Sequence, residues 1–268
     1  MDILSQEYMR HRVLTQLGFK FGRNGAHSAR TMMLPEVREL FGRVPPEASR
    51  GQYELEIVEH NAVVKPTLKA RSLTARHMAN LYGLDPGIPI FRAMRKLWDV
   101  DQAAQPVFAL TIALARDPLL CLSWDFIAHA KPGDAVSRQD VEHLLSKPDP
   151  DRFTAASLKS FAQNINGTWT QAGYLQGRSK KHRVSPEVSP VNFAYAAFLA
   201  SLEGFQGQRL LQSRWIRLLD RPVDVIVSLA TAASKRGLLV FMAAGGVFET
   251  RFPGYLTSEE EGWLREQA

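Results

Sequence analysis

The chain has 268 residues, 45% of them hydrophobic and 22% charged, with a formal net charge of +6 and one cysteine. This apolar content excludes wholesale disorder, and a single thiol excludes both an internal disulfide and a multi-thiolate zinc site. Because Glu259, Glu260, Glu261 and Glu266 gather at the C-terminus, the middle of the chain is more basic than the sum suggests.

The opening residues, MDILSQEYMRHRVL, scatter charges through their apolar positions and lack the unbroken apolar segment of a secretory signal. The longest apolar run, GLLVFMAAGGVF, is 12 residues and contains Gly245-Gly246, whereas a membrane span needs about 20. A cytoplasmic protein without a membrane span is expected.

After a polar lead-in through KFGRNGA, Met32, Met33, Val37, Leu40 and Phe41 recur at helical spacing, with Pro35 in the first turn or at a kink. PPEASR breaks the pattern, and Tyr53, Ile57 and Val58 mark a second helix. Pro66 disfavours helix at Lys65, so Ser72 or Thr74 is read as the cap of a third helix, LTARHMANLYG, that stops at Gly83. On that helix Ala75, Met78, Ala79 and Tyr82 form the buried stripe, leaving Arg76, His77 and Asn80 on the opposite side. Lys65, Lys69 and Arg71 precede them, and no acidic residue lies between Glu59 and Asp85. The segment therefore presents positive potential to a phosphate backbone.

The next stretches, PIFRAMRKLW and QPVFALTIALARDPLLCLSWDFIAHA, read as core helices with a turn at Asp117-Pro118. A boundary is placed near residue 101, where WDVDQAAQP loosens the pattern. KPGDAVSRQDVEHLLSKPDPD supplies a short helix between two turn clusters. A longer helix follows, with Leu158, Phe161, Ala162, Ile165 and Trp169 on its apolar face and Lys159, Gln163 and Asn166 elsewhere; it is expected to loosen at Gly167.

Directly after it comes GYLQGRSKKHRVSP, in which Arg178, Lys180, Lys181 and Arg183 place four fixed charges within six residues. Tyr174, Leu175 and Val184 are compatible with strands on either side of a basic tip. Helix, strand, turn, strand is the order of a winged helix, whose last helix enters the major groove while the hairpin lies along the sugar-phosphate backbone. Arg178, Lys180, Lys181 and Arg183 are the phosphate candidates, and Lys159, Gln163 and Asn166 the base-facing set. Near the C-terminus, Val223, Ile226, Val227 and Ala230 mark an amphipathic helix. LLVFMAAGGVFETRF then reads as a second hairpin, whose apolar tip suits internal packing or a partner protein.

The chain contains no Walker loop, G-x-G-x-x-G, H-E-x-x-H or G-x-S-x-G. His11, His27, His60, His77, His129, His143 and His182 show no metal-ligand spacing and are read as ordinary surface or helix histidines. The expectation is a mainly α protein with winged helix-type helix-plus-hairpin units in three modules: 1–100, 101–206 and 207–268. It carries no enzyme activity, metal, cofactor or small-molecule substrate on this reading.

The stretches NAVVKPTLKARSLTARHMANLYGL and GTWTQAGYLQGRSKKHRVSP resemble the BrxA family, the small accessory subunit of BREX bacteriophage-exclusion systems. The resemblance spans about residues 27–206 and leaves 207–268 beyond a compact family member. It implies a helical, non-catalytic protein with winged helix-type modules that binds double-stranded DNA and works beside a methyltransferase and other defence subunits. Two other readings stay open: a scaffold joining larger enzymes through apolar surfaces, and an RNA-binding helical protein, since a basic groove does not by itself distinguish RNA from DNA.

Overall fold

The computed structural model describes residues 3–178, 180–245 and 247–265. The fold is mainly helical, with small antiparallel sheets. The opening segment is not merely a polar lead-in: α1 (Ile3–Leu17) is a helix that buries Val13, Leu14 and Leu17. Pro35 lies in the first turn of α2 (Leu34–Arg43), where its missing N–H costs nothing. In α3 (Arg50–Val58), the Ser49 hydroxyl accepts from the Gln52 amide while the Gln52 side chain accepts from the Ser49 amide at 2.7 Å. This reciprocal cap fixes the start of the helix.

The third predicted helix starts earlier than expected. Thr67, not Ser72 or Thr74, caps α4 (Leu68–Tyr82), accepting from the Ala70 amide at 3.2 Å, while Thr74 bonds back to the Ala70 carbonyl. Pro66 at the N′ position is compatible with that cap, so Lys69 and Arg71 are helical. Gly83 ends the helix at φ 103°, a conformation that favours glycine.

Next come α5 (Pro89–Trp98), α6 (Gln105–Arg116), α7 (Pro118–Cys121) and α8 (Trp124–His129). A compact unit then runs through β1 (Ala135–Val136), α9 (Arg138–Ser146), α10 (Ala155–Gln171), β2 (Leu175–Gln176) and β3 (Lys181–Arg183). Its sheet has the order β1-β3-β2, all antiparallel, with Ala135 opposite His182 and Leu175 opposite Arg183. The expected loosening at Gly167 does not occur; α10 continues to Gln171. Gly167 serves close packing instead, since a Cβ there would sit 2.9 Å from Thr31 Cγ2.

The chain closes with α11 (Pro190–Leu202), α12 (Gly207–Leu211), α13 (Arg214–Arg217), α14 (Val223–Lys235), the hairpin β4 (Val240–Ala244) and β5 (Val247–Arg251), and α15 (Ser258–Arg265). The expected second hairpin is thus present, with Val240 opposite Arg251. Buried residues from Val13 to Tyr255 form one core. At its centre α11 is buried on every side and packs on α5, α6, α12, α13 and α14. The polar atoms it carries inward find partners: Asn192 donates to the Ala104 carbonyl at 2.9 Å and Tyr195 to the Ile90 carbonyl at 2.9 Å. Among the described residues no single helix is long and apolar enough to cross a membrane.

Candidate nucleic-acid interface

Two of the sequence-predicted groups converge. Residues of α10 and of the β2–β3 hairpin line one cleft of about 660 Å³ together with β1 and the start of α9. Gln163 and Asn166 come from the helix; Arg178, Lys180 and Lys181 come from the hairpin. Arg178 and Lys180 are exposed and belong to no ion pair among the described residues. Lys181 is half-buried and donates to Thr170 Oγ1 at 2.8 Å and to the Gly177 carbonyl at 3.2 Å, which ties the hairpin to the helix. Burial pushes its pKa down. Asn166 is only 4% exposed, and its Oδ1 lacks a hydrogen-bond partner. Asn166 is therefore a correction to the base-facing set, because it sits in the buried side of α10 while Gln163 stays exposed.

The start of α9 adds little charge of its own. Asp140 accepts from the Ser137 amide at 2.8 Å and from its hydroxyl at 2.7 Å, and Arg138 pairs with Glu142 at 3.3 Å. Lys159 is exposed one turn before Gln163 and lies outside the cleft lining.

Arg183 is a correction. Side chains alternate along β3, so His182 faces solvent while Arg183 turns into the core, 1% exposed. Its guanidinium pairs with Asp220 at 2.9 Å, donates to the Ile127 carbonyl at 3.1 Å and lies over the Tyr174 ring. It supports the hairpin and is unreachable by a phosphate.

The α4 segment divides in the same way. Lys65 is paired with Glu36 at 2.9 Å. Arg71 donates to the Val58 carbonyl at 3.2 Å, holding the linker, and Asn80 accepts from Lys20 through both its carbonyl and its side chain. These three serve the fold. Lys69 and Arg76 remain exposed, and His77 is half-buried, its pKa lowered by burial and by the neighbouring Arg30 and Arg76.

Arg30 was invisible to periodicity because it lies in a connector. The connector joins the two basic regions: its turn at Ala26–Ser28 packs on both α10 and α4, and Gln171 on α10 donates to Thr31 Oγ1 at 3.3 Å. Lys181, Thr170, Gln171 and Thr31 thus link the hairpin to the connector.

What holds the connector is a buried network that the sequence reading missed by treating His27 as an ordinary histidine. His27 Nδ1 lies 2.8 Å from Asp117 Oδ2, its Nε2 lies 2.7 Å from Thr168 Oγ1, and Thr168 also accepts from the Met32 amide at 2.8 Å. Hydroxyl, imidazole and carboxylate in a row have the connectivity of a nucleophilic triad. All three residues are fully buried, so no substrate reaches the hydroxyl. Gly25 is required beside them, since a Cβ there would come within 1.7 Å of the Asp117 carboxylate. Only the D-P turn signal touched this site.

Among the described residues no group of three or more His, Cys, Asp or Glu side chains is placed to hold a metal ion. No family model matches the chain, and no curated protein matches it.

Proposed function

We propose that the chain is a non-catalytic DNA-binding accessory protein that grips the backbone of duplex DNA through Arg178, Lys180 and Lys181, with Gln163 of α10 turned toward the bases. The carrying observation is that helix and hairpin residues, chosen separately, line one cleft. Support also comes from topology. The order helix, strand, helix, helix, strand, strand from α8 to β3, with β1 added beside β3, supports the winged-helix reading, in which the last helix and the wing share one DNA face. Lys69, Arg76 and Arg30 extend the positive surface beyond the cleft.

Each lysine or arginine that neutralises a phosphate releases a counterion, so binding must weaken steeply with salt. Duplex affinity is therefore measured by fluorescence anisotropy across a salt series. A log–log slope of several units is expected, and Arg178→Ala or Lys180→Ala should each reduce it by about 1 while weakening binding on all sequences alike. A slope near zero refutes the proposal. Structured RNA binding more tightly than duplex DNA in the same assay replaces it with the RNA reading.

The BrxA resemblance extends the proposal to a setting: a cytoplasmic anti-phage defence assembly that includes a methyltransferase. A scaffold role is favoured by one separate observation, the exposed Val240, Met242 and Val247 on the C-terminal hairpin. Neutralising the hairpin cations should leave any such protein contact intact.

A further inference from the structure

A second cleft, of about 520 Å³, opens between α3 and the C-terminal half of α4, and its charge is unbalanced. Lys20, Arg50, Arg76 and Arg116 line it, against the single carboxylate of Glu54. None of these five charges takes part in an ion pair among the described residues.

Other interior arginines of this molecule are matched with carboxylates, Arg95 with Asp99 at 2.8 Å and Arg183 with Asp220 at 2.9 Å. Arg116, 6% exposed, has only carbonyls: Leu81 at 3.1 Å, Gly18 at 2.5 Å and Asn80 at 3.5 Å. Two of these end α4, where the helix dipole favours a cation. Lys20 occupies the same helix end and bonds the Asn80 carbonyl at 2.7 Å. Two cations at one helix terminus repel each other. Burial and the Arg116 charge bring the Lys20 pKa to about 8, against a small opposing pull from Asp117, and burial brings Arg116 to about 10. An anion in the cleft relieves both the desolvation and the repulsion.

We propose that this cleft binds a small phosphomonoester, its dianionic head set among Lys20, Arg50, Arg76 and Arg116 and its uncharged body against Ile57, Ala79 and Ile88. A phosphomonoester suits the charge better than a carboxylate because it carries nearly two negative charges at neutral pH. A small molecule suits the shape better than a duplex, because Arg116 lies beneath the surface that a DNA backbone would follow. The volume is in the range of ordinary ligand pockets. Apart from Arg76, which also extends the proposed DNA surface, the site shares no residue with that reading.

Phenyl phosphate and inorganic phosphate serve as probes in calorimetry and thermal melts of the full chain at constant ionic strength. Saturable phenyl phosphate binding is expected, tighter than inorganic phosphate, with a matching rise in melting temperature. Lys20→Met should weaken it at least tenfold. Because Lys20 also holds Asn80, the exposed Arg50→Ala is the second variant; it should keep the wild-type melting temperature without ligand and weaken binding severalfold. Lys180→Ala, which lowers DNA affinity on the proposed function, should bind phenyl phosphate as wild type does. No saturable binding, equal affinity in wild type and Arg50→Ala, or inorganic phosphate binding as tightly as phenyl phosphate each overturns the assignment. So does loss of phenyl phosphate binding in Lys180→Ala, which would place the phosphate in the hairpin cleft.

Discussion

Asp117 is surrounded by donors. Its carboxylate accepts from the His27 amide at 2.9 Å and from the Leu119 and Leu120 amides at 3.0 and 3.1 Å, and it lies 2.8 Å from His27 Nδ1. Burial alone pushes this carboxyl up, but the His27 charge and these hydrogen bonds outweigh it and hold the group below the ordinary aspartate value. Removing one partner of such a buried pair costs about 3–5 kcal/mol, because the other is left uncompensated. Asp117→Asn should therefore lower the denaturation midpoint strongly without changing charge at the surface. The pH dependence has a definite sign. As pH falls through about 4, the unfolded chain takes up the proton first, so this stabilisation is complete above that pH and is lost progressively below it. Urea melts between pH 3 and 6 should show an acid-side decline in wild type that is shallower in Asp117→Asn. An equal slope in the two proteins would mean that Asp117 is not the group responsible.

The β2–β3 hairpin contains two kinds of basic residue, and only one kind was legible in the sequence. Charge density and flanking glycine and β-compatible residues marked the ribbon and its exposed Arg178 and Lys180. Periodicity also sorted α4 into buried and outward faces, because a helix buries one stripe whatever lies opposite; on α10 it placed Lys159 and Gln163 outward correctly but not Asn166, which is buried. What local pattern cannot carry is a partner supplied from far along the chain: Asp220 for Arg183, Glu36 for Lys65, Lys20 for Asn80. The same limit explains Gly167, whose local signal is a helix breaker and whose role is contact with Thr31. The division gives a paired prediction. Arg183→Ala leaves Asp220 without its cation and empties the buried site of the guanidinium, so it should clearly lower the midpoint of chemical denaturation. Lys180→Ala should leave the melt unchanged and reduce only duplex affinity. If Lys180→Ala destabilised the protein as much as Arg183→Ala, the split between supporting and contacting cations would be wrong.

At the scale of the molecule the question is what residues 207–268 add to the fold. They cover α11. This helix is almost wholly buried, and α12, α13 and α14 of the C-terminal stretch pack on it along with α5 and α6. Phe198 meets Phe252 and Tyr255, and Phe193 meets Phe241, all from the C-terminal stretch. Two polar links tighten the closure: Arg183 to Asp220, and Arg92 on α5 to Glu260 on α15. Burying a large apolar side chain contributes about 1.5–3 kcal/mol, so baring this face of α11 would remove more than a marginally stable fold has to spare. A chain ending at residue 206 should therefore fail to give a cooperative melt and should associate through the exposed helix, as judged by light scattering. The full chain should melt in one transition followed alike by tryptophan fluorescence and far-ultraviolet circular dichroism, because residues from all three stretches share one core. A monomeric, cooperatively folded 1–206 fragment would show instead that the C-terminal stretch is an appended unit, and the contacts of α11 with Phe241, Phe252 and Tyr255 would be dispensable.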